Sequence, residues 1–195
     1  MKIDIVVDVK TTLGEGPLWD VDQQRLYWID SFDGRVFRAT HDGREIRAWD
    51  VPMKIGSMAL RFFAGSMDTM EAGPSGALYR LDPDFSVTRI DGNIICSNGP
   101  CFSPDDRTFY FADTWTGEIW AYDYDIETGS ASNRRTFVKV DTSHGGAADG
   151  STVDSEGCLW NALVYDGKIV RFTPDGMVDR VIDMPVKKVT SVNFG

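Results

Sequence analysis

The sequence predicts an all-β fold, and within that class a β-propeller of four-stranded blades. The first observation is a phrase that recurs four times: an apolar or aromatic doublet or triplet, then a glycine turn, then a second apolar strand. The second is the spacing of the turn glycines, because Gly34, Gly76, Gly117 and Gly167 are 42, 41 and 50 residues apart. A period in the forties built from short strands is typical of propeller blades, each an antiparallel sheet around a central axis.

Each copy of the phrase predicts two central strands of one blade. In chain order the copies are Leu26–Trp28 with Val36–Arg38, Phe62–Ala64 with Ala77–Arg80, Phe109–Phe111 with Glu118–Trp120, and Leu159–Trp160 with Lys168–Arg171. Asp-Gly pairs favour tight turns. They occur at Asp33-Gly34, Asp42-Gly43, Asp91-Gly92, Asp166-Gly167 and Asp175-Gly176. The alternation of Met1 to Lys10 predicts a further, half-buried strand.

The composition argues against nucleic acid and membranes as partners. The formal charge is −10 over 195 residues, whereas a phosphate-binding surface requires the opposite sign. We expect no signal peptide and no membrane span, because no apolar stretch is long enough. Cys96, Cys101 and Cys158 are an odd number without zinc spacing, which favours free buried thiols, with a Cys96–Cys101 bridge as the alternative. These features predict a cytoplasmic protein, and they leave the oligomeric state unknown.

Three residues with side-chain oxygens stand in glycine-rich breaks of the predicted blades. They are Glu15, Asn98 and Asp149, and each precedes a predicted inner strand. Inner strands line the channel of a propeller, so residues just before them converge at one rim. Two carboxylates and an amide oxygen would form a hard oxygen site suited to Ca²⁺, Mg²⁺ or Mn²⁺. Taken singly, each of the three is also an ordinary turn-forming residue.

Several phrases resemble the SMP-30/gluconolactonase/regucalcin family, and together they cover nearly the whole chain. They are Leu13–Trp19, Phe63–Asp68, Gly76–Pro83, Ser97–Pro100, Phe102–Asp105, Ser132–Arg135, Asp149–Gly150 and Asp154–Trp160. The resemblance implies a six-bladed propeller and a metal-dependent sugar lactonase. It also implies that Glu15, Asn98 and Asp149 are the metal ligands.

The chain departs from the family pattern at two places. The family's Arg-x-Asn-Asp-Gly motif is absent between Leu60 and Phe62, where the second strand of a blade follows the first with no turn. About four blade equivalents are present. We therefore expect residues 1–195 to form a single propeller domain that lacks a blade near 60–62 and the closing blade after 195. We expect that the natural protein contains both stretches and that this sequence leaves them out. A shortened chain and a natural deletion are the alternatives.

Other polar and aromatic residues carry weaker predictions. By the same resemblance, Asp68 and Glu71 are candidate sugar contacts, with a plain polar loop as the alternative. His144 is either a proton shuttle or an exposed loop residue. Trp115 lies outside the repeating aromatic pattern, so it is a candidate for a pocket wall.

The predicted activity is hydrolysis of a sugar-acid lactone. A divalent cation, calcium in first place with magnesium, manganese or zinc as alternatives, would polarise the ester carbonyl and lower the pKa of the attacking water. Asp149 would be the catalytic base that takes the water's proton. The alternative is a propeller that binds a divalent cation or a sugar acid without turning it over.

Overall fold

The computed structural model describes residues 6–21, 23–50, 57–59, 63–68, 70–82 and 86–194, with the backbone alone described for 57–59. These residues form sixteen β-strands and no helix. In chain order the strands are β1 Gly14–Asp20, β2 Arg25–Asp30, β3 Arg35–Thr40, β4 Arg47–Asp50, β5 Ser57–Ala59, β6 Phe63–Gly65, β7 Gly76–Leu81, β8 Val87–Ile94, β9 Ser97–Phe102, β10 Thr108–Asp113, β11 Glu118–Asp125, β12 Ser130–Lys139, β13 Ala147–Val153, β14 Leu159–Val164, β15 Lys168–Phe172 and β16 Val178–Asp183.

The strands form four antiparallel sheets, each of four consecutive strands. Blade one contains β1 to β4, blade two β5 to β8, blade three β9 to β12 and blade four β13 to β16. Neighbouring strands are joined by short connections, so every sheet is a simple meander. This arrangement confirms the predicted all-β propeller class.

The core lies between the blades, because each sheet presents alternate side chains to its two neighbours. In β10 of blade three, Tyr110 and Ala112 pack toward blade four, whereas Phe109 and Phe111 pack toward blade two. On the first face they meet blade-four residues Leu159, Leu163, Val170 and Phe172. On the second face they meet blade-two residues Phe63, Leu78 and Ile94. The two-residue period of the strands therefore builds two separate apolar layers.

Inner strands of successive blades approach closely around the axis, and glycine makes this possible. A methyl group on Gly99 would lie 2.5 Å from the Ser151 hydroxyl, and one on Gly150 would lie 2.5 Å from the Ser191 hydroxyl. Residues 190–194 continue the arc past blade four. The Gly150 amide donates to the Thr190 carbonyl (2.8 Å), and Asn193 Nδ2 donates to the Pro17 carbonyl of β1 (3.0 Å). This segment therefore links blade four to blade one.

Two predictions from local sequence are wrong. Asp91-Gly92 lies inside β8 rather than in a turn, because the pair is accommodated where the register with β7 shifts. Residues 6–10 of the predicted first strand are not in a sheet, and residues 1–5 lie outside the described part. A methyl group on Gly43 would overlap the Val6 carbonyl oxygen, so this segment crosses the β3–β4 turn instead of pairing beside a strand.

The junction at residues 60–62 lies outside the described residues. On either side of it, β5 and β6 pair with Ala59 opposite Phe63. The described part of the chain contains no helix long and apolar enough to cross a membrane.

Candidate metal centre

Glu15, Asn98 and Asp149 occupy equivalent places near the start of the inner strands β1, β9 and β13. They lie inside these strands, not in breaks before them as the glycines suggested. The reason is a register shift in each strand: between Glu15 and Leu18 in β1, between Asn98 and Cys101 in β9, and between Ala148 and Ser151 in β13. A bulge bends a strand and re-aims its side chains, and bulges recur beside active sites.

The three bulges bring the three residues to one place. Glu15 and Asn98 line a cavity of about 220 Å³, and the wall beside them includes Gly150, the neighbour of Asp149. The charge of Glu15 acts directly on the carboxyl of Asp149. The cavity continues along the inner strands as the central channel, past Cys101 and Val153.

Burial and like charge dominate the electrostatics of Asp149. Desolvation raises the pKa of its carboxyl to about 8, and the nearby charges of Glu15 and Glu71 add to this, whereas a hydrogen bond from the Gly150 amide opposes it. The side chain is only 9% exposed. Such a carboxyl is mostly protonated at neutral pH, and a positive charge beside it would favour the ionised form.

Glu15 experiences the same desolvation. Burial raises the pKa of its carboxyl, while hydrogen bonds from the Gly16 amide and the Thr190 hydroxyl oppose that shift. Thr190 belongs to the segment that links blade four to blade one. The position of Glu15 thus depends on the last described residues as well as on its own blade.

Asn98 is oriented by hydrogen bonds from its amide nitrogen. Nδ2 donates to Thr114 Oγ1 (2.9 Å) and lies 3.9 Å from Cys96 Sγ. Both contacts occupy the nitrogen, which leaves Oδ1 to face a cation. Desolvation raises the pKa of the Cys96 thiol to about 12, so this sulfur is a neutral thiol and not a thiolate ligand.

Asn161 is a site residue that the sequence analysis missed. It is fully buried in β14, and its Nδ2 donates to the Asp149 carbonyl (2.9 Å) and the Ser151 hydroxyl (2.9 Å). These bonds fix the bulge of β13 that carries Asp149. The available signal was an amide in the otherwise apolar run Leu159–Val164.

The two candidate sugar contacts differ in their surroundings. Asp68 accepts hydrogen bonds from the Met70 amide (3.3 Å) and the Ala72 amide (3.0 Å), so it shapes the β6–β7 loop. Glu71, in the same loop, accepts a hydrogen bond from Trp115 Nε1, and its charge raises the pKa of Asp149. The structure therefore brings Glu71, rather than Asp68, to the edge of the centre.

The remaining candidates from the sequence lie outside the centre or next to it. His144 is exposed in the loop before β13. All three cysteines are free, as predicted. Trp115, in the β10–β11 turn, is 47% exposed and stands beside Glu71.

A second acidic group lies elsewhere in blade four. Ligand atoms of Asp154, Glu156 and Cys158 lie within 4.8 Å of one another. Arg171 already fills this group: its Nε donates to Asp154 Oδ2 (2.8 Å), and its guanidinium also pairs with Glu156 and Asp179. The Arg171 guanidinium therefore already supplies the positive charge that pairs with these carboxylates.

The centre at the inner strands has the donor set that a divalent cation requires. Its ligand atoms are hard oxygens from two carboxylates and one amide, which is the chemistry that calcium and magnesium prefer. Both carboxyls have raised pKa values, and among the described residues neither forms an ion pair with a lysine or arginine. The residues present fit such an ion.

Comparison with known proteins identifies the family of the chain. The model of the SMP-30/Gluconolactonase/LRE-like family matches residues 13–61 and 59–195. A pentonolactonase of Haloferax volcanii is 35% identical over 240 residues, covering 100% of this chain and 81% of that protein. Regucalcin of Danio rerio is 29% identical over 246 residues, covering 100% and 83% respectively. The chain belongs to the SMP-30/Gluconolactonase/LRE-like family.

The fold is shared with solved structures of the family. A calcium-binding protein, regucalcin, from Agrobacterium tumefaciens superposes with a TM-score of 0.74 at 20% identity, over 96% of this chain and 79% of that one. The two matched parts of the family model meet at residues 59–61. The alignment with the pentonolactonase spans 240 positions, 45 more than the 195 residues of the chain.

Proposed function

We propose that the protein hydrolyses a sugar-acid lactone at the centre formed by Glu15, Asn98 and Asp149. The observation that carries the proposal is a pair of desolvated carboxyls that act on each other, Glu15 in the cavity wall and Asp149 next to Gly150 of that wall, and among the described residues neither is paired with a lysine or arginine. A site built in this way stabilises positive charge, as a metal-dependent hydrolase requires.

Glu15, Asn98 and Asp149 would hold a divalent cation through their side-chain oxygens. We propose calcium, with magnesium, manganese or zinc as alternatives. When bound, the cation would supply Lewis acidity to the ester carbonyl and to the attacking water. The two carboxylates would balance its charge.

The side chains of the chain itself would move the proton and exclude solvent. Asp149 would accept the proton of the attacking water, because it neighbours Gly150 of the cavity wall and is close enough for the charge of Glu15 to act on it. A positive charge beside Asp149 lowers the pKa that burial raises, and so provides the ionised base. Asn161 would hold Asp149 in place through the β13 bulge. Glu71 is the candidate contact for substrate hydroxyls, and Asp68 would order its loop.

Membership of a family that includes a pentonolactonase at 35% identity supports a lactone substrate. A non-catalytic propeller that binds a cation or a sugar acid is the second candidate. What favours it is the absence of the Arg-x-Asn-Asp-Gly motif next to the point where the two family matches meet. A single domain that lacks one blade there remains our proposal, as do a cytoplasmic location and the absence of nucleic-acid or membrane partners.

A titration assay separates the two functions. The purified chain would be chelated, then given D-glucono-1,5-lactone with and without calcium, and acid release would be followed in a pH-stat. Lactone hydrolysis that disappears on chelation and returns with calcium supports the enzyme. Calorimetric binding of calcium or gluconate with no acid release above the uncatalysed rate supports the binding protein. Binding of neither a divalent cation nor gluconate, with no acid release above the uncatalysed rate, contradicts both.

A further inference from the structure

A line of four side chains crosses three blades on the rim that carries the metal centre. They are Glu71 of the β6–β7 loop, Trp115 of the β10–β11 turn, Tyr165 of the β14–β15 turn and Lys188 of the segment after β16. Trp115 Nε1 donates to the Glu71 carboxylate. The Trp115 and Tyr165 rings stack with centroids 6.5 Å apart and planes 17° apart, and Lys188 Nζ lies 5.8 Å from the Tyr165 ring. We call this line the rim shelf.

The rim shelf lies at the same end of the blades as the metal centre. Asp113, just before the Trp115 turn, pairs with Ser97 at the start of β9, next to Asn98. Val164, just before Tyr165, pairs with Ala147 at the start of β13. These two pairings place the shelf at the end of the blades where Asn98 and Asp149 lie, and the charge of Glu71 also acts on the Asp149 carboxyl.

The two aromatic rings of the rim shelf are exposed to solvent and do not pack into the core. Trp115 is 47% exposed and Tyr165 is 46% exposed, although large aromatic rings gain most from burial. Tyr165 also has a φ of +71°, a left-handed conformation that is unfavourable for a bulky residue. Strained backbone conformations cluster at ligand and active sites, which makes Tyr165 a candidate contact residue.

We infer that the rim shelf binds the carbon–hydrogen face of a polyhydroxylated lactone, with Glu71 accepting hydrogen bonds from its hydroxyl groups and Lys188 donating at the far edge. This inference rests on the proposed lactonase function and adds Trp115, Tyr165 and Lys188 to the residues that would select its substrate. An aromatic face suits the apolar side of a sugar ring, whereas the carboxylate and ammonium select hydroxyl-bearing substituents. A lactone without hydroxyl groups, such as δ-valerolactone, uses neither Glu71 nor Lys188.

The test compares Trp115→Ala, Trp115→Phe and Tyr165→Asn with the unmodified protein on D-glucono-1,5-lactone and δ-valerolactone. Trp49→Ala is the matched control, because Trp49 is 45% exposed on β4 of blade one and lies outside the shelf. Trp115→Ala is expected to raise KM for the gluconolactone about tenfold with kcat within about twofold. Trp115→Phe restores most of the lost affinity, and KM for δ-valerolactone rises less than KM for the gluconolactone in Trp115→Ala, because only the gluconolactone also loses the Glu71 carboxylate that Trp115 Nε1 holds.

Tyr165→Asn separates recognition from structure. Asn tolerates a positive φ better than Tyr, so this variant is expected to raise Tm while it raises KM. A ring that served only the fold would give the opposite result, a lower Tm at unchanged KM. That result, or an unchanged KM in Trp115→Ala, overturns the rim shelf and leaves the lactonase proposal standing.

The two proposals fail separately. If the unmodified protein hydrolyses neither lactone, the lactonase proposal is wrong, and the shelf is then tested by calorimetry with gluconate. Gluconate binding that Tyr165→Asn weakens about tenfold supports the shelf as a sugar-acid site. Absence of binding, or equal binding by the variant, overturns it.

Discussion

Asp149 and Asp154 of blade four are five residues apart in sequence, and their pKa values are shifted in opposite directions. Burial raises the pKa of Asp149 to about 8, with Glu15 and Glu71 adding to the shift. Burial also acts to raise the pKa of Asp154, but hydrogen bonds from Trp160 Nε1 and Arg171 more than offset it, and the pKa is lowered. The difference between the two carboxyls is the set of donors around Asp154: the Trp160 indole first, then the Arg171 guanidinium and two backbone amides. We expect the group around Asp154 and Arg171 to be structural, and the carboxyls of Glu15 and Asp149 to receive a cation.

The largest expected effect is loss of catalysis on neutralising Asp149. Asp149→Asn keeps the size of the side chain but removes the base and one charge of the cation site. We expect turnover of a sugar lactone to fall on the order of 10³-fold, measured in the pH-stat at saturating calcium. The matched control is Asp154→Asn, which should lower Tm and leave turnover per folded molecule within about twofold. Equal losses in both variants would contradict the distinction between the groups.

Calcium should stabilise the protein in a pH-dependent way. In the chelated protein the folded-state pKa of Asp149, about 8, exceeds its ordinary value of 3.8, so the folded state binds the proton more tightly. This contribution to stability is present below about pH 4 and is lost as the pH rises toward 8. We therefore expect calcium, at a concentration of about 100 times its Kd, to raise Tm by roughly 5–10 °C at pH 8, and by less at pH 5.5.

Differential scanning calorimetry checks this pH dependence. Asp149→Asn serves as the control and should show a smaller calcium shift with a weaker pH dependence, because only Glu15 of the two carboxyls with raised pKa values remains. A calcium shift that is equal at both pH values in the unmodified protein would argue against Asp149 as a ligand.

Replacing Arg171 should turn the acidic group around Asp154 from a salt-bridge cluster into a group that can bind calcium. In Arg171→Met the carboxylates of Asp154, Glu156 and Asp179 lose their common partner, whose side chain is only 11% exposed. We expect a loss of about 2–3 kcal/mol in the free energy of unfolding in denaturant, with lactone turnover retained. We also expect calcium to recover part of the lost stability. If calcium stabilises Arg171→Met no more than it stabilises the unmodified protein, the arginine is not acting as a resident cation.

The smallest expected effect concerns the residue that positions Asp149. Asn161→Leu keeps the volume but removes the donor to the Asp149 carbonyl and the Ser151 hydroxyl. Calcium affinity should fall about tenfold by calorimetry, as is usual for partners behind a metal ligand. Leu163→Ala in the same strand is the control, because it should destabilise the core without changing calcium affinity. A similar fall in both variants would reduce Asn161 to a packing role.

The repeat period was enough to predict the propeller from the sequence. Glycine spacing near forty residues reports blade size directly, and the aromatic doublets mark strands buried on both faces, as Phe109 and Phe111 show. Local turn chemistry was less reliable. Asp91-Gly92 has the composition of a turn, yet pairing with β7 holds it inside β8, because a sheet partner outweighs a dipeptide preference.

The sequence nominates the residues of the candidate centre, whose role as ligands stays a prediction, but it does not give their backbone geometry. Glycine and proline after Glu15 and Asn98 signalled an irregular backbone, and the structure shows that irregularity as a bulge within each inner strand. Asn161 escaped prediction because its role depends on a cross-strand contact that no spacing reveals. The partnership of Arg171 with Asp154, 17 residues away, escaped for the same reason.

The central claim is that Glu15, Asn98 and Asp149 bind a single divalent ion. The direct test is crystallography of the protein soaked with manganese, which gives an anomalous signal and favours the same oxygen ligands. We predict one strong peak bonded to oxygens of all three side chains at about 2.0–2.6 Å. A peak at Asp154 and Glu156 instead, or three side chains that share no peak, would contradict it.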